Sequence, residues 1–255
     1  MRTAAEPEDG RRETEHPRVG GAIVRADPTL PARVSPPILG RDGRPDLEAT
    51  RQTFEALIAA GRYAEADRLM WWLWTKGDEH ADQGEAFQFS LVPQWTALAE
   101  AYHPAWRSLR MARDRSLVAY ERGDAFAVIE VIWLNQGLGQ NDRTVALVKE
   151  RMDADPKSGR SLVGVALHVL AQEEAHQLIA DAYPDWRSVR RTVRRNLVMH
   201  RASDDVPGAP GDAAMARMPA DWIATSYRAV GREADADRLD AAVDALVGTE
   251  ATGED

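Results

Sequence analysis

From Asp46 onward the apolar positions recur at the spacing of a helix face. Phe54, Leu57 and Ile58 form one stripe. Tyr63, Ala66, Leu69, Met70 and Leu73 form the next, and Leu91, Trp95, Leu98 and Tyr102 a third. Between the first two stands Gly61, placed as a glycine that closes a helix. Pro104 suits a first helical turn, where its missing N–H costs nothing, and Trp106, Leu109 and Leu117 continue from it. Gly123-Asp124 breaks the chain. Phe126, Ile129, Val131, Ile132 and Leu134 follow, up to the glycines at 137 and 139. Val145, Leu147, Val148 and Met152 precede Asp155-Pro156. Leu162, Val165, Leu167, Val169 and Leu170 make a helix apolar enough to be buried on most sides. Trp222, Ile223 and Tyr227, then Leu239, Val243 and Leu246, predict a last pair. No alternating run bounded by a hairpin turn is present. The pattern predicts an all-α protein of about ten or eleven helices in antiparallel pairs.

The texture divides the chain. Residues 1–45 hold Pro, Gly, Arg and charged residues without periodicity, including Pro36-Pro37 and Asp42-Gly43, and read as an unstructured arm. Residues 46–200 read as a helical body and residues 201–219, ending at Pro219, as a loop. Residues 220–247 read as a closing helix pair and 248–255 as an acidic, frayed tail.

Two phrases occur twice. Gly61-Arg-Tyr-Ala-Glu-Ala-Asp-Arg-Leu69 returns as Gly231-Arg-Glu-Ala-Asp-Ala-Asp-Arg-Leu239, with seven of nine positions identical. Pro104 to Val118 reads PAWRSLRMARDRSLV, and Pro184 to Val198 reads PDWRSVRRTVRRNLV, with eight of fifteen identical. The second offset is 80 residues, two units of about 40, within the range of helical-pair repeats. One supersecondary unit used several times explains both matches.

The junction Leu57, Gly61-Arg62-Tyr63, Ala66 resembles that of a tetratricopeptide repeat, in which a helix ends at Gly, an aromatic follows and a small Ala lets two helices pack closely. Ile223-Ala224, Tyr227, Gly231 and Ala236 are similar. The resemblance is to a degenerate, tetratricopeptide-like solenoid, because not all the family's Trp and Pro positions are filled. The composition and the Trp-rich middle also resemble bacterial helical-repeat proteins to which no activity attaches. The resemblance implies protein or peptide binding in a groove. It supplies no functional residue, since the repeat positions pack helices.

Charge and composition narrow the classes. The formal charge is −9, with 41 Asp and Glu against 32 Lys and Arg, which argues against a general nucleic-acid binder. There is no cysteine, hence no disulfide and no thiolate zinc site. No apolar run reaches the roughly 20 residues of a membrane span, and the first residues lack the apolar core of a secretory signal. A cytoplasmic protein is expected, with no membrane and no cofactor.

Two clusters carry candidate binding chemistry. Trp71, Trp72 and Trp74 lie within four residues, and neighbours on a helix point about 100° apart, so the three cannot share one stripe. They serve either as core or as a recognition surface. Arg187, Arg190, Arg191, Arg194 and Arg195 fall at i, i+3, i+4, i+7 and i+8, a cationic stripe, while Trp186, Val189, Val193 and Leu197 form another face. Arg107, Arg110, Arg113 and Arg115 are a weaker version on the matching helix. Guanidinium forks recognise carboxylates and phosphates. The plainer alternative is a solvated face paired with neighbouring acids.

Metal and catalytic signals are poor. Glu173 and His176 have the spacing of one half of a helical di-iron motif, and Glu13 and His16, in the arm, repeat it. His168 and His176 read as helix-surface residues, and Asp78, Glu79, His80 and Asp82 as a solvated turn. No nucleophile elbow and no phosphate-binding glycine loop exists. The expected function is therefore a non-enzymatic protein- or peptide-binding module: an adaptor, regulator or inhibitor of the immunity type. The alternative is an enzyme or binder for an anionic small molecule, phosphorylated or carboxylated, held by the Arg stripe. A nucleic-acid-binding solenoid comes last.

Overall fold

The computed structural model describes residues 47–76, 84–187, 189, 190, 194 and 212–252. Among these it contains ten helices and no strand: α1 Leu47–Ala59, α2 Tyr63–Lys76, α3 Gly84–Ala101, α4 Ala105–Glu121, α5 Ala127–Gly137, α6 Asn141–Ala154, α7 Pro156–Gln172, α8 His176–Ala182, α9 Asp212–Ala229 and α10 Glu233–Thr252. The fold is all-α, as the periodicity predicts. Consecutive helices pack together, and α2 also meets α4, α3 meets α5, α5 meets α7 and α7 meets α9. That order is the one a stack of helix pairs produces. The expected arm over 1–45 and Asp78, Glu79, His80 and Asp82 lie outside the described residues.

The helix ends share one device. After α1, Gly61 has φ +67°, its N–H bonds to the carbonyl of Ile58 at 3.0 Å, and the Arg62 N–H reaches back to Leu57 at 2.8 Å. This pair of bonds is a Schellman motif and satisfies carbonyls the helix leaves unpaired. The same pair of bonds recurs after α4, α5 and α9, at Gly123, Gly139 and Gly231. After α7 the left-handed position is held by Glu174, φ +53°, with Ala175 N–H bonded to Leu170 O at 2.8 Å. The reversal from α6 into α7 is tighter still. Asp155 caps α7 by accepting from Lys157 N–H at 3.1 Å, and Pro156 occupies its first position.

Two apolar clusters form the core. Phe54, Met70, Leu73, Trp74, Leu91, Trp95, Leu98 and Leu109 join α1 to α4. Ile132, Val148, Val163, Leu170, Ile179, Ile223, Tyr227 and Leu239 join α5 to α10. Each fully buried large side chain contributes about 1.5–3 kcal/mol. Helix α5 belongs to both clusters, sending Leu134 one way and Ile132 the other. Its sequence, AVIEVIWLNQG, is apolar on nearly every side for that reason.

Close approach is set by glycine at two crossings. A Cβ on Gly137 would meet Val92 Cγ1 at 2.6 Å, where α5 crosses α3. A Cβ on Gly159 would meet the backbone of Met152 at 2.6 Å, where α7 lies against α6.

The last pair differs from the expected boundaries. Helix α9 begins at Asp212, so residues 212–219 are helical where a loop was expected, and Pro219 lies inside the helix. The run Asp-Ala-Ala-Met-Ala-Arg-Met is made almost wholly of strong helix formers, and this outweighs the proline. Helix α10 continues to Thr252, through Gly248 and into the expected tail.

Candidate functional site

The chain turns sharply after α8, and this elbow positions the arginine stripe. Three carbonyls lie at this elbow, those of Ala180, Tyr183 and Pro184. All three are met by the last helix pair. Arg232 donates to Ala180 O at 3.3 Å and to Pro184 O at 2.9 Å, and the Tyr227 hydroxyl donates to Tyr183 O at 2.5 Å. The Arg232 guanidinium lies 4.2 Å over the Tyr227 ring and is paired with Asp235 at 2.8 Å. Burial pushes the Tyr227 phenol up to about 12, so it remains a donor across the physiological range.

From this clasp the chain re-enters a helical conformation. Asp185 accepts the Arg187 N–H at 3.0 Å, a capping contact. Trp186 is half-buried against the second core cluster and Val189 is 1% exposed, so these two seat the segment. Arg187, Arg190 and Arg194 point outward and are exposed. With Asp185 and Trp186 they line a concavity of about 340 Å³. Arg187 lies 5.1 Å from the Trp186 ring centroid and 3.8 Å from Asp185 Oδ1. Arg190 and Arg194 form no ion pair with any described residue. Arg191 and Arg195 lie outside the described residues.

The matching helix, α4, buries one of its arginines. Arg113 is 6% exposed and donates to Asp114 at 2.6 Å and also to Gln140. In the offset of 80 residues, Asp114 stands where the later helix has Arg194. Arg107, Arg110 and Arg115 of α4 are exposed, as Arg187, Arg190 and Arg194 are, so the two helices differ at the 114/194 position and not in presenting guanidinium groups.

The tryptophans pack mainly inward. Trp74 is 4% exposed and sits 6.3 Å from Trp95 in a tilted contact. Trp71 meets Trp95 edge-on at 6.4 Å, and Trp71 and Trp72 are half-buried against the same cluster. Trp95 is the hub: its indole N–H donates to Asp67 at 2.8 Å, and Ser108 donates to the other oxygen of that carboxylate at 2.7 Å. Desolvation raises the Asp67 pKa, more than the two donors and nearby Arg68 lower it.

The histidines do not lie on one helix. His168 is on α7, half-buried 5.4 Å from the Trp133 ring and 3.3 Å from Gln136 Oε1, and burial lowers its pKa. It is not the surface residue that the sequence predicts. His176 opens α8, beyond the Glu174 turn, so Glu173 and His176 are not on one helix. His176 Nδ1 lies 3.1 Å from Ser226 Oγ, but that hydroxyl donates to Trp222 O at 2.8 Å and is fully buried. The Ser226 proton is committed to a backbone carbonyl, an arrangement unlike a poised nucleophile. Among the described residues no group of three or more His, Asp or Glu is placed to hold a metal ion. No described helix is long and apolar enough to cross a membrane.

Of the expected stripe, Arg187, Arg190 and Arg194 share one concavity, while the clasp and the Asp67 node were not expected from the sequence. The only available signal was indirect: Arg232 and Asp67 are polar residues inside phrases that otherwise pack helices. No protein-family model matches the chain, and neither does any curated protein or solved structure searched.

Proposed function

We propose that this chain is a non-enzymatic binding module, an adaptor, regulator or inhibitor, that holds a protein or peptide partner against the Arg187–Arg190–Arg194 ridge. The observation that carries the reading is the concavity that Arg187, Arg190 and Arg194 line together beside Trp186. On α4 the buried arginine is tied to Asp114 and Gln140, while Arg190 and Arg194 stand exposed beside Trp186 without an ion pair among the described residues. Arginine next to a half-buried tryptophan is a composition that binding surfaces favour. The Schellman ends shared by α1 and α9 support reading the helix pairs as degenerate tetratricopeptide-like repeats.

The test is affinity purification from the native cell, run in parallel with wild type and with the double variant Arg190→Ala, Arg194→Ala. A stoichiometric protein recovered with wild type and lost with the variant is the expected result. Equal recovery with both assigns the binding to another surface. A second reading rests on the size of the concavity, about 340 Å³, near the lower end of the roughly 300–1,000 Å³ of small-molecule clefts. Native mass spectrometry that shows a retained anionic small molecule, and no protein, would favour it.

A further inference from the structure

We infer that the partner segment is an extended, acidic stretch of polypeptide, recognised by its side-chain carboxylates and not by a chain terminus. The inference rests on the binding reading above and adds the chemistry of the occupant. The first argument is spacing. Residues four apart in a helix are separated by about 6 Å along its axis, at 1.5 Å per residue, and Arg190 and Arg194 are both helical and line one concavity. Alternate side chains of an extended peptide lie about 6.6 Å apart on one face. Two carboxylates at i and i+2 therefore meet two guanidinium groups, and Arg187, one turn earlier, can meet a third.

The second argument is electrostatic. Like charges one turn apart on a helix repel. On α4 the position equivalent to Arg194 is Asp114, which Arg113 pairs within the protein. At the ridge Asp185 lies 3.8 Å from Arg187, while Arg190 and Arg194 pair with no described residue, and a carboxylate series laid along them removes the repulsion. The third argument separates peptide from nucleic acid. One face of Trp186 is already covered by Arg187, leaving less ring for a base to stack on. Three exposed arginines line the concavity, so it offers several guanidinium groups where a lone chain-terminal carboxylate would engage one.

The test uses the full chain and a fluorescent peptide of alternating Glu and Ala, blocked at both ends, alongside a Gln–Ala peptide, a Lys–Ala peptide, an apolar peptide and a single-stranded oligonucleotide. The Glu–Ala peptide is expected to bind, with affinity falling as salt rises and screens the exposed charges. Arg190→Ala and Arg194→Ala should each weaken it by about 2–5-fold. Arg194→Asp, which restores the α4 residue, should weaken it by about 10-fold or more, and Arg194→Lys should retain most of it, with unchanged circular dichroism throughout. Stronger binding of the Gln–Ala, Lys–Ala or apolar peptide overturns the acidic occupant and leaves the binding-module reading in place. No binding of any peptide overturns the occupant and counts against the module reading. Tighter binding of the oligonucleotide, or Glu–Ala binding unaffected by Arg194→Asp, overturns the inference as well.

Discussion

The two copies of the Gly-Arg phrase have the same backbone and different chemistry. Gly61 and Gly231 both adopt positive φ, +67° and +77°, and both following arginines return an N–H to the helix they leave, at 2.8 and 2.7 Å. Arg62 pairs with Glu65 and Arg232 with Asp235, each three residues on. There the likeness ends. Asp67 accepts from buried Trp95 and Ser108, whereas its counterpart Asp237 is exposed and paired with Arg228 at 3.3 Å. Arg62 is exposed, while Arg232 reaches the carbonyls of the elbow. The phrase thus encodes a turn and its first helical residues. What surrounds each copy decides whether its polar side chains face water, bind a core or hold a distant loop.

The sharpest break of this comparison is at the aspartates. Asp67→Ala strands two buried donors and should cost about 2–4 kcal/mol in chemical denaturation, while Asp237→Ala should leave the midpoint nearly unchanged. Equal effects would show that burial does not distinguish the copies. The Asp67 site should also carry a pH response. The folded-state pKa of Asp67 lies above the ordinary 3.8, so the folded state binds the proton more tightly than the unfolded chain does. Its contribution to stability is present below 3.8 and is lost as pH rises through the raised value. Asp67→Asn should therefore compare more favourably with wild type above that window than below it, measured by urea unfolding across the acid range.

Arg232→Ala comes next. Loss of its bonds to Ala180 and Pro184 should cost about 1–3 kcal/mol and change the fluorescence of Trp186, whereas Arg62→Ala should leave both nearly unchanged. The glycines test the shared part. Gly61→Ala and Gly231→Ala should each cost about 1 kcal/mol, by the same amount, since both place a side chain in the left-handed region. Unequal losses would mean the turns are not equivalent. The smallest effect runs the other way: Glu174→Gly should raise stability by about 0.5–1 kcal/mol, because that turn carries a side chain where the others have none.

Helices and most of their ends were legible because stripe spacing and Gly or Pro punctuation are local. The start of α9 was missed because the Pro-Gly breaks before it drew attention from a run of helix formers that a single Pro219 does not stop. The shared concavity of Arg187, Arg190 and Arg194 follows from the same kind of local spacing. The pairing of Arg113 with Asp114 on α4 was not legible, since adjacent residues on a helix do not announce which of them turns inward. The clasp was out of reach: Tyr227 and Arg232 meet partners 44 to 52 positions away. The Asp67 node likewise spans 28 and 41 positions. Nothing in a local window marks an aspartate as the one that a tryptophan and a serine from two later helices will share.

The contact at Gly159 has a consequence for spacing. Where α7 presses on α6, the backbone of Met152 takes the space a side chain would fill. At that point no side chain can stand between the two backbones, so any residue larger than glycine would have to push α7 off α6. The closeness of these two helices thus depends on an atom that is missing.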